Sequence, residues 1–81
     1  MAYLLQQLVT AAAERGPDRV AVRARGRHLT YADLETAANR LARLLREAGV
    51  AGGDRVGLWL PKSVESVIAM LGVLKAGAAY V

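Results

Sequence analysis

The chain has 81 residues, 54% of them hydrophobic and only 5% aromatic, and 11 lysines and arginines against 7 acidic residues give it a formal charge of +4. Such a length allows one small domain at most, burying only about 60–65% of the surface its unfolded chain would expose, and the apolar content argues against disorder. With no cysteine, disulfides and thiolate metal sites are excluded and a reducing compartment is implied.

Leu4, Leu5, Leu8, Val9, Ala12 and Ala13 recur at helical spacing and predict a first amphipathic helix. Gln6 and Gln7 interrupt its apolar face, and no positive region leads it, so it does not read as a signal peptide. No apolar run reaches the roughly 20 residues of a membrane span, and a cytoplasmic location is expected. The helix should stop at Gly16-Pro17, because proline cannot continue a helix and disfavours helical geometry in the residue before it. Val20-Ala21-Val22 and Leu29-Thr30, either side of Arg25-Gly26, predict a β-hairpin.

A second helix begins after Thr30, which can cap it, with Asp33 placed against the positive end of the helix dipole. Leu34, Ala38, Leu41, Leu45 and Ala48 form its apolar stripe, while Glu35, Asn39, Arg43 and Arg46 are expected to lie away from it. Gly49 supplies the stop, and Val50 to Asp54 reads as a loop through Gly52-Gly53.

Val56-Gly57-Leu58-Trp59-Leu60 is a continuous apolar run, the look of a strand buried on both faces in a parallel sheet. Pro61 ends it, and Ser63 can cap a third helix running to about Ala76. Val64, Val67, Ile68, Leu71 and Leu74 form a stripe there, but Ala69, Met70 and Val73 fill other faces, so this helix must be covered on several sides. Gly77 stops it, and Ala79-Tyr80-Val81 begins another strand.

The expected fold is therefore α/β: helix, β-hairpin, helix, then a right-handed strand–helix–strand unit. Two parallel strands cannot cover the third helix, and their open edges would invite aggregation. Residues 1–81 thus read as a fragment of a larger domain rather than a whole one, and the resemblance given below makes it the incomplete N-terminal part.

Several residues invite a chemical reading that their surroundings do not support. His28 has no partner for nucleophilic catalysis or a metal cluster. Arg19, Arg23, Arg25 and Arg27 crowd the hairpin, but no aromatic residue interleaves them, and Glu14 and Asp18 lie close by, so a solvated face is expected rather than a nucleic-acid surface. Gly52-Gly53 precedes a strand instead of opening a helix, which is the wrong geometry for a phosphate cradle. Trp59, Tyr80 and Tyr31 are expected to pack, Tyr31 against the hairpin.

Two stretches carry a family resemblance. Leu29-Thr30-Tyr31-Ala32-Asp33-Leu34 resembles the first core motif of nonribosomal peptide synthetase adenylation domains, L-[TS]-Y-x-E-L, with Asp33 where glutamate is common. Leu74-Lys75-Ala76-Gly77-Ala78-Ala79-Tyr80-Val81 resembles the second, L-K-A-G-x-A-Y-V. The text between them is similar to that family as well: Ala38-Asn39-Arg40-Leu41-Ala42, Gly49-Val50, Asp54-Arg55-Val56 and Leu60-Pro61-Lys62-Ser63, where Lys62 replaces a frequent arginine.

The resemblance implies an AMP-forming adenylating enzyme, in which a substrate carboxylate attacks ATP, pyrophosphate leaves, and the acyl group passes from the adenylate to a thiol. That thiol belongs to a carrier protein's phosphopantetheine or to coenzyme A, and magnesium accompanies the ATP. An acyl- or aryl-acid ligase of the same superfamily is the nearest alternative, and a non-catalytic relic or interaction module the alternative of another class. The phosphate loop, the ribose-binding aspartate and the catalytic lysine of such enzymes lie beyond these motifs. No catalytic, cofactor-binding or metal-binding residue is therefore expected here, and Lys75 reads as a cation complementing a helix dipole. Partners are expected to be the remainder of the adenylation domain and a carrier protein, with neither nucleic acid nor membrane. Met1, just before the resemblance begins, suggests a freestanding enzyme or an initiation module.

Overall fold

The computed structural model describes residues 5–57 and 63–80. In chain order they form α1 (Leu5–Arg15), β1 (Val20–Ala24), β2 (Arg27–Thr30), α2 (Tyr31–Glu47), β3 (Arg55–Val56), α3 (Val64–Lys75) and β4 (Ala79–Tyr80). β1 and β2 pair antiparallel, and β3 and β4 pair parallel around α3, so the expected hairpin and strand–helix–strand unit are both present. Arg55 pairs with Ala79 and Val56 with Tyr80. Leu58, Trp59, Leu60 and Pro61, expected to continue and end β3, lie outside the described residues, as do Leu4 and Val81.

Arg25 and Gly26 turn the hairpin with φ of 51° and 76°. Two successive positive φ values match the twist of the flanking strands, as in the favoured two-residue connections. A bulge between Val20 and Val22 shifts the register, after which Val22 faces Leu29 and Arg23 faces His28.

α2 opens as the sequence predicts. Thr30 accepts from the Asp33 N–H through its hydroxyl, while the Tyr31 and Ala32 N–H groups donate to the carbonyls of Arg19 and Pro17. The turn after α1 therefore satisfies the orphan donors of α2 and fixes where the hairpin sits. Both long helices end alike. Gly49 and Gly77 adopt φ of 100° and 83°, and the paired bonds Gly49 to Arg46 with Val50 to Leu45, and Gly77 to Leu74 with Ala78 to Val73, are Schellman closures.

The core is Leu34, Ala38 and Leu71, with Val9, Ala21, Val22, Leu29, Val67 and Ile68 packed around it. α3 touches α1, α2, β4 and both hairpin strands, the many-sided cover that its apolar surface demands. α2 meets α3 along Leu34, Ala38 and Ala42, all buried.

The α2 stripe needs two corrections. Ala48 is the exposed C-cap residue, and the fully buried Ala42 takes the place expected further along the stripe. Glu35 does not lie away from the interface but is half-buried against α3. Small side chains at positions 38 and 42 let α3 approach one flank of α2, which turns Glu35 inward. The approach is close enough that a Cβ on Gly72 would come within 2.7 Å of Leu41 Cδ2.

Candidate functional site

The second motif, as far as its residues are described, is tied to several other elements. Lys75, in the last turn of α3, places Nζ 2.6 Å from Glu35 Oε1, and their side chains are only 12% and 17% exposed. Oε1 has no aligned donor among the described residues, so this contact is an ion pair rather than a formed hydrogen bond. Lys75 Nζ donates to Thr10 Oγ1 at 3.2 Å, and that hydroxyl donates to the Gln6 carbonyl at 3.0 Å.

The backbone around Lys75 is held too. Arg46 donates to the Lys75 carbonyl at 2.6 Å, Gln6 to the Leu74 carbonyl at 3.4 Å, and the Gly53 N–H to the Gly77 carbonyl at 2.9 Å. Carbonyls at a helix C-terminus lack partners within the helix, and here α1, α2 and the Gly52-Gly53 loop supply them. Ala76 and Ala78 are buried on either side of Gly77.

Lys75 is thus more than a cation complementing the dipole: it ties α1 and α2 to the end of α3 immediately before β4. Glu35, Arg46, Thr10 and Gly53 are partners that sequence reasoning missed. The signal that could have found the Glu35 pair is an acidic residue next to the α2 stripe together with a single cation on the largely apolar α3.

The first motif lies at the hairpin-to-α2 junction. Leu29 packs on the core, Thr30 caps α2, Asp33 is exposed, and Leu34 is 2% exposed. Tyr31 is half-buried and lines a cavity of about 390 Å³ with Ala12, Arg15, Arg19 and Val20, so it borders the turn after α1 as well as the hairpin. The two motifs join through α2, whose Leu34 and Glu35 reach toward α3.

His28 is exposed on β2. Of the hairpin arginines, Arg27 pairs with Glu65 at the start of α3. The Glu65 carboxyl is held below its ordinary pKa first by a backbone N–H bond and then by Arg27. Among the described residues no three His, Cys, Asp or Glu side chains group as metal ligands would, and no helix is long and apolar enough to cross a membrane.

Comparison with known proteins places this arrangement. Residues 9–81 match the AMP-binding enzyme family. The chain belongs to that family. It is 51% identical over 77 residues to tyrocidine synthase 1 of Brevibacillus parabrevis, covering 95% of this chain and 7% of the synthase. It is 49% identical over 78 residues to a medium/long-chain-fatty-acid–CoA/3-oxocholest-4-en-26-oate–CoA ligase of Mycobacterium marinum, covering 96% of this chain and 14% of that one.

Among solved structures, the nonribosomal peptide synthetase FmoA3 superposes with a TM-score of 0.93 at 46% identity, covering 99% of this chain and 9% of that one. An artificially fused adenylation–PCP di-domain, NpsA-ThdA from Klebsiella oxytoca, superposes at 0.88 with 33% identity, covering 94% and 14%. The three helices and hairpin are therefore the N-terminal part of the adenylation-domain fold. The chain spans only a small share of the length of the relatives it matches.

Proposed function

We propose that residues 1–81 are the opening scaffold segment of an ATP-dependent carboxylate-adenylating enzyme that activates an amino acid for nonribosomal peptide synthesis. The observation that carries this reading is the identity to tyrocidine synthase 1 along nearly all of this chain, joined to the two motifs that the structure ties together through α2. Among the described residues both strand pairs have open edges, which suits a segment continued by further strands.

The described helix N-termini do not fit an ATP–magnesium group. The first N–H groups of α2 are taken by Pro17, Arg19 and Thr30, and the Ser66 N–H of α3 is taken by Ser63. A phosphate cradle at a helix N-terminus needs free backbone donors, so this reading assigns the nucleotide to other parts of the enzyme. Within this segment the chemistry is positional: Lys75 and the Schellman closure at Gly77 fix the direction in which β4 leaves α3. The carrier-protein phosphopantetheine thiol is the proposed acceptor, and the cytoplasm the proposed compartment. The likeness to the mycobacterial ligase supports a second reading, transfer to coenzyme A.

The test is ATP–pyrophosphate exchange by the full polypeptide that carries this segment, against a panel of α-amino acids, fatty acids and aryl acids. Exchange stimulated by one amino acid, with none from residues 1–81 alone, is the expected result. Exchange with fatty or aryl acids followed by a coenzyme A thioester establishes the second reading, and absence of exchange with every acid rejects both.

A further inference from the structure

The cavity between the end of α1, the start of β1 and the start of α2 has a one-sided chemistry. Its polar lining residues are Arg15, Arg19 and Tyr31, and its remaining walls are Ala12 and Val20. None of the three polar side chains bonds to another described residue. The nearby backbone acceptors are already used: the Ala12 carbonyl by Gly16, the Gly16 carbonyl by Arg19, the Pro17 carbonyl by Ala32, and the Arg19 carbonyl by Tyr31. Two arginines and a tyrosine thus line one cavity whose nearby backbone carbonyls each already accept a bond.

The Arg19 stem lies close over Gly16. A Cβ on Gly16 would come within 2.4 Å of Arg19 Cδ and 3.0 Å of its Cγ, so the bare glycine leaves room for the arginine stem to lie across the turn.

We propose that this cavity binds a carboxylate, held by Arg15 and Arg19 with the Tyr31 hydroxyl as third donor. The planar guanidinium fork matches a carboxylate bidentately, and the cavity of about 390 Å³ leaves ample room for an acidic side chain to enter. The source we assign is an aspartate or glutamate from a later part of the same polypeptide, because relatives extend far beyond this segment. The site stands independently of the adenylating activity, whereas that source rests on the reading given above.

The experiment titrates the ¹⁵N-labelled chain with sodium acetate at constant ionic strength, following the arginine Nε–H signals. Those of Arg15 and Arg19 should move together and saturate, with Kd on the order of millimolar, while that of Arg43 stays still. Arg15→Gln and Arg19→Gln should each weaken binding about five- to tenfold. Gly16→Ala should weaken it by displacing the Arg19 stem, and Arg43→Gln should leave it unchanged. Linear drift shared by all arginines overturns the site, and inorganic phosphate displacing acetate at equal concentration overturns the carboxylate assignment.

The same titration on the full polypeptide separates the sources. A site open in the short chain and closed in the long one supports an internal carboxylate, whereas a site open in both overturns that source in favour of a free acid. A stability measurement serves if the short chain does not hold its helical signal. In the long polypeptide Arg19→Glu should lower Tm by several degrees more than Arg43→Glu, and equal shifts overturn the proposal. Pyrophosphate exchange recorded in parallel tells failure of this site from failure of the enzymatic reading.

Discussion

Two places in the molecule bring three elements together, and they resolve the meeting in opposite ways. At the end of α3, the cation of Lys75 has Glu35 and Thr10, and the terminal carbonyls have Arg46, Gln6 and Gly53. At the end of α1, the backbone is satisfied but Arg15, Arg19 and Tyr31 line an open cavity without a side-chain bond to another described residue. The first arrangement is finished within the segment, while the second waits for a group from outside. Burial follows the same division. Leu71 and Val73 on α3 are about as buried as side chains become, whereas Leu5 and Leu8 on α1 are each 50% exposed.

The largest expected contrast comes from truncating one leucine on each side. Leu71→Ala opens a cavity in the core and should cost about 2–5 kcal/mol, enough to abolish most of the helical circular dichroism of so small a chain. Leu8→Ala removes a half-exposed side chain and should stay within about 0.5 kcal/mol. Urea denaturation of both variants measures the difference, and comparable losses would show that α1 packs as tightly as α3.

The Lys75–Glu35 pair comes next. Lys75→Met leaves a half-buried carboxylate without its cation, and the loss should be about 2–3 kcal/mol, between the values for exposed and fully buried pairs. Replacing both residues, as Glu35→Leu with Lys75→Met, should recover much of that loss, and a double-mutant cycle reads the coupling directly. Purely additive costs would reduce Lys75 to a dipole cation.

Gly72→Ala should destabilise by about 1–2 kcal/mol, because the added methyl meets Leu41 across the α2–α3 contact, although alanine favours a helix by about 1 kcal/mol over glycine. A stabilised variant would mean that α2 and α3 part easily. Thr30→Ala should cost about 1 kcal/mol through the lost cap, visible as a lower urea midpoint with an unchanged slope.

These expectations also mark what the sequence made legible. Caps, stops and the order of elements were readable because Thr30, Ser63, Gly49 and Gly77 act locally, through bonds within three to five residues of themselves. The two motifs carried the family for the same reason: their residues lie in short continuous stretches. Glu35 was placed away from the stripe, Ala48 on it and Ala42 left out of it, because periodicity assumes a partner squarely opposite the apolar stripe. The actual angle of approach depends on side-chain size at Ala38, Ala42 and Gly72 together. The unmatched donors around Tyr31 were invisible because they come from α1, the turn and α2, and only folding assembles them.

The smallest expected effect tests whether the hairpin is tied to α3 or merely rests beside it. Glu65 has a folded pKa below its ordinary 4.5, first from a backbone N–H bond and second from Arg27. A carboxyl with a depressed folded pKa contributes stability that is fully present above 4.5 and is lost as pH falls through the folded value. Arg27→Gln removes only the second cause, so it should flatten the fall of Tm in the acid range slightly without abolishing it. Near neutral pH it should change Tm little, since both side chains are more than half exposed and water screens the pair. Glu65→Gln should flatten the acid limb further, because the backbone bond then no longer favours a charge. If Arg27→Gln and wild type superimpose at every pH, the guanidinium gives Glu65 nothing, and the hairpin is held to α3 by the apolar contacts of Val22 and Leu29 alone.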